Sequence, residues 1–388
     1  MQAKFSLRRG LTLDEHYMRL ALSIAQYAIG RTSPNPMVGA VIVRDGRIVG
    51  QGWHRQAGTP HAEINALQQA GDLAQGATMY VTLEPCSHYG RTGPCADALI
   101  ATGIKKVVVA MNDPNPLVAG RGIKKLREVG IEVVEGVLAA EAAILNEIFI
   151  KYISTQMPFV VLKSAMSLDG KIAAYTGHSQ WITGPESRER VQKLRDCYDA
   201  ILVGIGTVLA DNPSLTTRLP YKGKNPLRII VDSMARTPLD AHVLTDGLAP
   251  TIIVVTDKAP ENRINALSAC GAEVLVAKAK QGGVDLRQLF KALTRKDITS
   301  ILIEGGASIN ASVLAENLVD KIYWFIAPKI IGGKGALGPV GGQGVTDVNH
   351  AYLFENMNIE PIGQDIVISA YMRNREGRDV YRDCGRIR

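Results

Sequence analysis

Apolar and polar residues alternate along the chain in two rhythms that replace one another repeatedly. Over 14–28 the apolar positions recur at helical spacing behind Thr12, a side chain suited to cap a helix. Residues 38–44 and 47–52 read as two strands joined by Asp45-Gly46, a hairpin turn signal. Then follow a helix over 61–69, a strand over 78–83, a helix over 95–102, a strand over 106–110, a helix over 122–129, a strand over 131–134 and a closing helix over 141–152. Pro158 opens a second series, with β-rich runs over 159–165, 200–204, 227–232, 251–256, 273–276 and 300–304. Helical segments such as 186–197, 285–294 and 307–316 lie between them, and 321–331 and 366–372 read as late strands. Strands alternating with helices predict an α/β fold. The expected domains are 1–152 and 153–372, followed by a polar, basic tail over 373–388 that frays.

A length of 388 residues suits two or three domains. No apolar run approaches the length of a membrane helix. Residues 1–9 carry charge with no apolar segment behind them, which argues against a secretory signal. The formal charge is +7, a mild excess that suits phosphorylated small molecules as well as nucleic acid. Five cysteines, an odd number in a long chain, argue against a disulfide framework and for a reducing cytoplasm.

The chemistry concentrates in His61-Ala62-Glu63, Pro85-Cys86 and Cys95. One His and two Cys are enough to hold Zn²⁺ and leave a fourth position open to water. Glu63 is not needed as a ligand and is placed to move protons, the arrangement of the zinc deaminases of nucleobases. Helix starts at His61 and Cys95 would add positive potential at the metal. Two other readings stand beside this one. His-Ala-Glu alone occurs by chance in a chain this long. Eight residues separate the cysteines, unlike the compact Cys-x-x-Cys signature, so a structural site with His88 as fourth ligand is open.

The second half is less explicit. Residues 204–209 carry two glycines of a dinucleotide fingerprint and lack the third, and 333–338 lead into more Gly and Pro where a helix should start. Neither is a Rossmann signal. Glu304-Gly305-Gly306 follows a strand and opens a helix, so its amides can face a phosphate. A plain strand-to-helix turn accounts for it equally well.

Longer motifs carry a resemblance. Ser33-Pro34-Asn35-Pro36-Met37-Val38-Gly39, Gly52-Trp53-His54 and His61-Ala62-Glu63 are similar to the bacterial bifunctional deaminase/reductases of riboflavin biosynthesis. So is the run Glu84-Pro85-Cys86-Ser87-His88-Tyr89-Gly90-Arg91-Thr92-Gly93-Pro94-Cys95, whose long cysteine spacing is a feature of that family. Asp113-Pro114-Asn115-Pro116 and Gly120-Arg121-Gly122 also match. Lys163-Ser164-Ala165-Met166-Ser167-Leu168-Asp169-Gly170, Ser179-Gln180-Trp181-Ile182-Thr183-Gly184 and Thr207-Val208-Leu209-Ala210-Asp211-Asn212-Pro213 resemble its reductase half.

The resemblance covers nearly the whole chain. It implies a cytidine-deaminase-like α/β/α domain followed by a dihydrofolate-reductase-like α/β domain. It implies zinc on His61, Cys86 and Cys95, Glu63 as catalytic proton shuttle, and Asn35, His54, His88 and Arg91 on an aminopyrimidine and its ribose phosphate. In the second half it implies NADPH against Ala165, Trp181, Thr207, Asp211, Ser233 and Gly306. The sugar-phosphate substrate would meet Ser179, Arg195, Leu215, Arg218 and Glu304. Arg195 and Arg218 suit a phosphate clamp, and Lys163 and Asp169 are candidates for proton transfer during hydride delivery. The implied reactions are hydrolytic deamination of a diaminopyrimidinone ribosylamine phosphate, then reduction of its ribosyl group to ribityl. Small phosphorylated aminopyrimidines are the expected partners, with no nucleic acid and no membrane, and a homo-oligomer is expected. The rival is a nucleic-acid-editing deaminase with an RNA-binding second domain. It requires a basic stripe with interleaved aromatics, whereas aromatic residues make up 5% of the chain and the charges of the second half are dispersed.

Overall fold

A computed structural model describes residues 11–89, 93–115, 118–280 and 282–373. They fall into two units that divide between Gln156 and Met157. In the first, Thr12 Oγ1 accepts from the Glu15 N–H while the Glu15 carboxylate accepts from the Thr12 N–H. This capping box starts α1 (Leu13–Ala25). A 3₁₀ turn over Gln26–Ala28 stands where the expected helix would have run on. β1 (Gly39–Arg44) and β2 (Arg47–Trp53) form the hairpin around Asp45-Gly46. Then come α2 (Ala62–Ala70), β3 (Thr78–Val81), α3 (Cys95–Ala101), β4 (Lys106–Val109), α4 (Arg121–Glu128), β5 (Glu132–Glu135), α5 (Ala139–Leu145) and α6 (Glu147–Thr155).

The sheet order is β2-β1-β3-β4-β5, with β1 antiparallel to its neighbours and β3, β4 and β5 parallel. Val107, Val108 and Val109 are all fully buried, so both faces of β4 are covered, as a parallel strand between helices requires. Gly39 and Gly52 let helices approach closely: a Cβ there would strike the carbonyl oxygens of Ala21 in α1 and Ala62 in α2. The expected closing helix is broken at Asn146. Its Oδ1 accepts from the Met37 N–H (2.8 Å) and its Nδ2 donates to the Met37 carbonyl (3.0 Å), which ties down the Asn35-Pro36-Met37 loop.

The second unit contains β6 (Phe159–Ser167), α7 (Pro185–Cys197), β7 (Ala200–Gly204), α8 (Ile205–Asp211), β8 (Leu227–Val231), α9 (His242–Thr245), β9 (Thr251–Thr256), α10 (Glu261–Ala269) and β10 (Glu273–Ala277). A small hairpin of β11 (Ala279–Lys280) and β12 (Gly283–Val284) leads to α11 (Leu286–Thr294), β13 (Ser300–Ile303), α12 (Ala307–Ala315), β14 (Lys321–Ala327), β15 (Phe354–Ile362) and β16 (Asp365–Met372). The main sheet runs β10-β9-β8-β7-β13-β6-β14-β16-β15. It is parallel from β10 to β14 and antiparallel beyond. The carboxyl ends of β7, β13 and β6 therefore lie side by side, where open α/β sheets form their ligand crevices. β14 ends at Ala327, short of the expected 331, because Pro328 removes the next ladder donor. Among the described residues no helix is long and apolar enough to cross a membrane.

Candidate functional site

His61 is the N-cap of α2, Cys95 is the first residue of α3, and Cys86 lies in the segment after β3. The Cys95 N–H donates to Cys86 Sγ (3.3 Å) and the Ala96 N–H to the Cys86 carbonyl (3.1 Å), so α3 docks its amino end on Cys86. His61 Nδ1 is 3.6 Å from Cys86 Sγ and 3.3 Å from Cys95 Sγ. Zinc bonds of about 2.0–2.3 Å at tetrahedral angles put donors about 3.5 Å apart, so this donor set fits one Zn²⁺. The hydrogen bond from Cys95, with His61 adding, draws the Cys86 thiol down to about 4, while Cys95 is held up by its shared proton and its burial. Hydrogen bonding to Cys86 raises His61. His88 is exposed and stands outside the metal-ligating group, which removes the four-ligand structural site.

Glu63, in the first turn of α2, is 3% exposed. Burial pushes its carboxyl up to about 7, the Cys86 charge adding and His61 opposing. His54 is also buried, with its ring edge-on to His61 at 5.4 Å. Its Nδ1 lies 3.3 Å from the Pro60 carbonyl, which can only accept, so Nδ1 carries the proton. Its Nε2 then accepts from Asn35 Nδ2 (3.1 Å). Burial lowers the His54 pKa and keeps the ring neutral. The structure thus gathers Asn35, His54, His61, Glu63, Cys86 and Cys95, whereas Arg91 lies outside the described residues. Sequence reasoning missed a role for Glu84. It is 3% exposed, and its carboxylate accepts from four backbone N–H groups, those of Asp113, Gly120, Gly122 and Ile123.

In the second unit Glu304 follows β13. Arg195 of α7 donates to it through Nε (2.6 Å) and Nη2 (2.9 Å), and through Nη1 to the Thr216 carbonyl (2.9 Å). Lys163 Nζ of β6 is 3.6 Å from Glu304 Oε2. Burial alone would raise the Glu304 carboxyl; the facing charges of Arg195 and Lys163 overcome it and hold the group at about 2. Burial pushes Lys163 down against the pull of Glu304. Ala165 shares a strand face with Lys163. Arg218 is exposed, within the fields of Arg195 and Glu304.

Gly305 and Gly306 have φ of +132° and +36°, conformations that favour glycine, and the Gly306 N–H donates to Thr207 Oγ1 (3.2 Å). A Cβ on Gly305 or Gly306 would meet only Thr207 Oγ1, and one on Gly206, in the first turn of α8, would meet nothing within 4 Å; the starts of α12 and α8 thus offer open backbone to the phosphates of a dinucleotide, and the residues fit NADPH. Ser179 Oγ donates to Asp211 Oδ1 (3.2 Å), joining a residue expected at the substrate to one expected at the cofactor. Trp181, Leu215 and Ser233 are held by other contacts. Arg188 stacks on the Trp181 ring at 4.7 Å, Leu215 is buried at φ +53°, and the Ser233 carbonyl accepts from Thr256. Asp169 does not fit the proton-transfer role. The Ser167 hydroxyl and the N–H groups of Ile331 and Gly332 hold its carboxylate at about 2, which makes it an anchor for the loop after β14.

Residues 11–111 match the cytidine and deoxycytidylate deaminase zinc-binding region, and residues 158–368 match the RibD C-terminal domain. The chain is 47% identical over 355 residues to the riboflavin biosynthesis protein RibD of Actinobacillus pleuropneumoniae, covering 92% of this chain and 94% of that protein. It belongs to the RibD family. Two solved structures agree with this membership. Acinetobacter baumannii RibD superposes with a TM-score of 0.83 at 39% identity, covering 93% of this chain and 99% of that one. The Thermotoga maritima diaminohydroxyphosphoribosylaminopyrimidine deaminase/5-amino-6-(5-phosphoribosylamino)uracil reductase gives 0.83 at 38% identity with the same coverage. The fold is therefore a cytidine-deaminase-like domain followed by a dihydrofolate-reductase-like one. As a RibD, the chain is a bifunctional enzyme of riboflavin biosynthesis, a zinc deaminase joined to an NADPH-dependent reductase. A RibD reductase domain stands where the rival reading needed an RNA-binding module.

Proposed function

We propose that the chain hydrolyses the 2-amino group of 2,5-diamino-6-ribosylamino-4(3H)-pyrimidinone 5′-phosphate. It then reduces the ribosyl group to give 5-amino-6-(5-phospho-D-ribitylamino)uracil. The observation that carries this reading is the buried Glu63 carboxyl beside the His61, Cys86 and Cys95 donors. Held by those three residues, zinc supplies the Lewis acidity that makes water a nucleophile at neutral pH. Glu63 moves one proton of the attacking water to the ring nitrogen and the second, from the new hydroxyl, to the departing amine, which leaves as ammonia. A buried carboxyl beside the three donors is placed to do both. Neutral His54 fixes the Asn35 amide, whose oxygen remains to accept from the pyrimidine. His88 and Arg91 serve the ribose phosphate.

In the second unit NADPH supplies the hydride, with Ala165, Trp181, Thr207, Asp211, Ser233 and Gly306 as its contacts. Bound there, the cofactor would supply a hydride for C1′; the C1′–O bond of the ribose ring opens with its electron pair on the oxygen, which takes a proton. Lys163, its ammonium weakened by burial, is the donor of that proton. Ser179, Leu215 and Glu304 line the sugar. Arg195 has each of its guanidinium nitrogens engaged by Glu304 or Thr216, so the phosphate falls to exposed Arg218.

Two domains close to the expected 1–152 and 153–372 are supported by the two family matches, with the boundary moved from 152 to Gln156 because α6 runs on to Thr155. A cytoplasmic location is supported by the odd number of cysteines and by Cys86 and Cys95 lying together as metal donors with His61. A homo-oligomer is supported by the exposed apolar side chains of Met357 and Ile359 on the edge strand β15. Metal analysis with an ammonia-release assay tests the deaminase half. We expect one zinc per chain and ammonia from the diaminopyrimidinone; zinc without ammonia release would refute this substrate.

A further inference from the structure

We infer that Glu84 is a positioning residue of the deaminase centre, setting Cys86 and Asp113 against the start of α4. The inference rests on the deaminase reading above. Glu84 lies two residues before Cys86, and its N–H donates to the carbonyl of Met111, two residues past β4 (3.0 Å). Its Oε2 accepts from the N–H groups of Asp113 (3.2 Å) and Gly120 (2.9 Å), and its Oε1 from those of Gly122 (2.9 Å) and Ile123 (3.3 Å). Gly120 is the N-cap of α4, so the carboxylate takes up the orphan donors of that helix and meets the positive end of its dipole.

An ordinary cap would come from the residues just before the helix. This one arrives from a residue 36 positions earlier, next to a zinc ligand, and so bonds the helix to the metal loop. Gly122 shows how close the two are: a Cβ there would strike the Pro85 carbonyl oxygen. Cys86 is thus gripped from both sides, by α4 through Glu84 and Pro85 and by α3 through the Ala96 N–H. Asp113, whose side chain accepts from the Asn115 N–H (2.9 Å), is hung from the same carboxylate.

The test compares full-length wild type, Glu84→Gln and Leu126→Ala, the last a loss of buried packing in α4 that leaves Glu84 untouched. The readouts are zinc affinity by competition with a chromophoric chelator, deaminase kcat and KM at saturating zinc, reductase turnover on the deaminated intermediate, and thermal midpoint. Outer-shell partners of metal ligands are worth roughly 10- to 100-fold in affinity or activity. Glu84→Gln turns an NH₂ toward backbone donors and should lose zinc affinity and deaminase kcat by that factor, with reductase turnover unchanged. Leu126→Ala should lower the thermal midpoint while keeping zinc affinity. Should Glu84→Gln not fold, Glu84→Asp, which keeps the charge at shorter reach, should show the same selective loss. Equal loss of zinc affinity in Leu126→Ala overturns the inference, since Glu84 would then serve only the helix. Full zinc affinity and deaminase kcat in Glu84→Gln overturn it too, while the wild-type activity leaves the deaminase reading standing. A wild type that neither binds zinc nor deaminates sinks that reading and the inference with it.

Discussion

Glu63 and Glu304 are the same residue type driven in opposite directions. Both are buried, but Glu63 faces sulfur and one imidazole, while Glu304 faces a guanidinium and an ammonium. One is raised to about 7 and suited to carry a proton; the other is held at about 2 and stays a fixed anion. Replacing Glu63 with Gln should lower deaminase kcat by about 10²–10⁴-fold, the usual worth of a general acid–base. Metal analysis of the variant should still find zinc, since Glu63 is not among the donors. For Glu304 the folded value lies below the ordinary 4.5, so its contribution to stability is fully present above that pH. It is lost as the pH falls from 4.5 toward about 2. Glu304→Gln should unfold more readily at pH 7, by about 3–5 kcal/mol, because Arg195 and Lys163 are left buried without their anion. Its stability should also fall less steeply than the wild type's between those pH values, as followed by denaturant titration. At this scale the zinc donors and Glu63 were legible as a motif. The Arg195–Glu304–Lys163 contact was not: the arginine and glutamate are 109 positions apart and only the fold brings them together.

The elements were legible where burial dictates composition. The central parallel strands are apolar on both faces, and the helices between them carry the helical period, so the α/β rhythm could be read directly. β15 escaped because FENMNIEPI is largely exposed, alternates poorly and contains a proline, none of which marks a strand. The break at Asn146 escaped for another reason, since its cause is a pair of bonds to Met37, far off in sequence. The contribution of glycine is likewise tertiary. Gly39→Ala should destabilise the first unit by about 1–3 kcal/mol, the cost of overpacking, because a Cβ there meets the backbone of α1, which cannot swing aside. A thermal midpoint equal to wild type would show that α1 can retreat.

At the scale of the molecule, each unit carries its own chemistry on its own sheet. Zinc removal by a chelator should therefore abolish deamination and leave reduction of the separately supplied deaminated intermediate intact. Loss of both activities would show that zinc also supports the second unit. The membership was legible in the order of the motifs. The division of labour inside each site came only from contacts. The most direct measurement is mass spectrometry of the diaminopyrimidinone ribosylamine phosphate after incubation with zinc-loaded protein, with and without NADPH. The account predicts exchange of an amine for oxygen in both tubes, and a further gain of two hydrogens only with NADPH. Reduction without prior exchange, or no exchange in either tube, would contradict it.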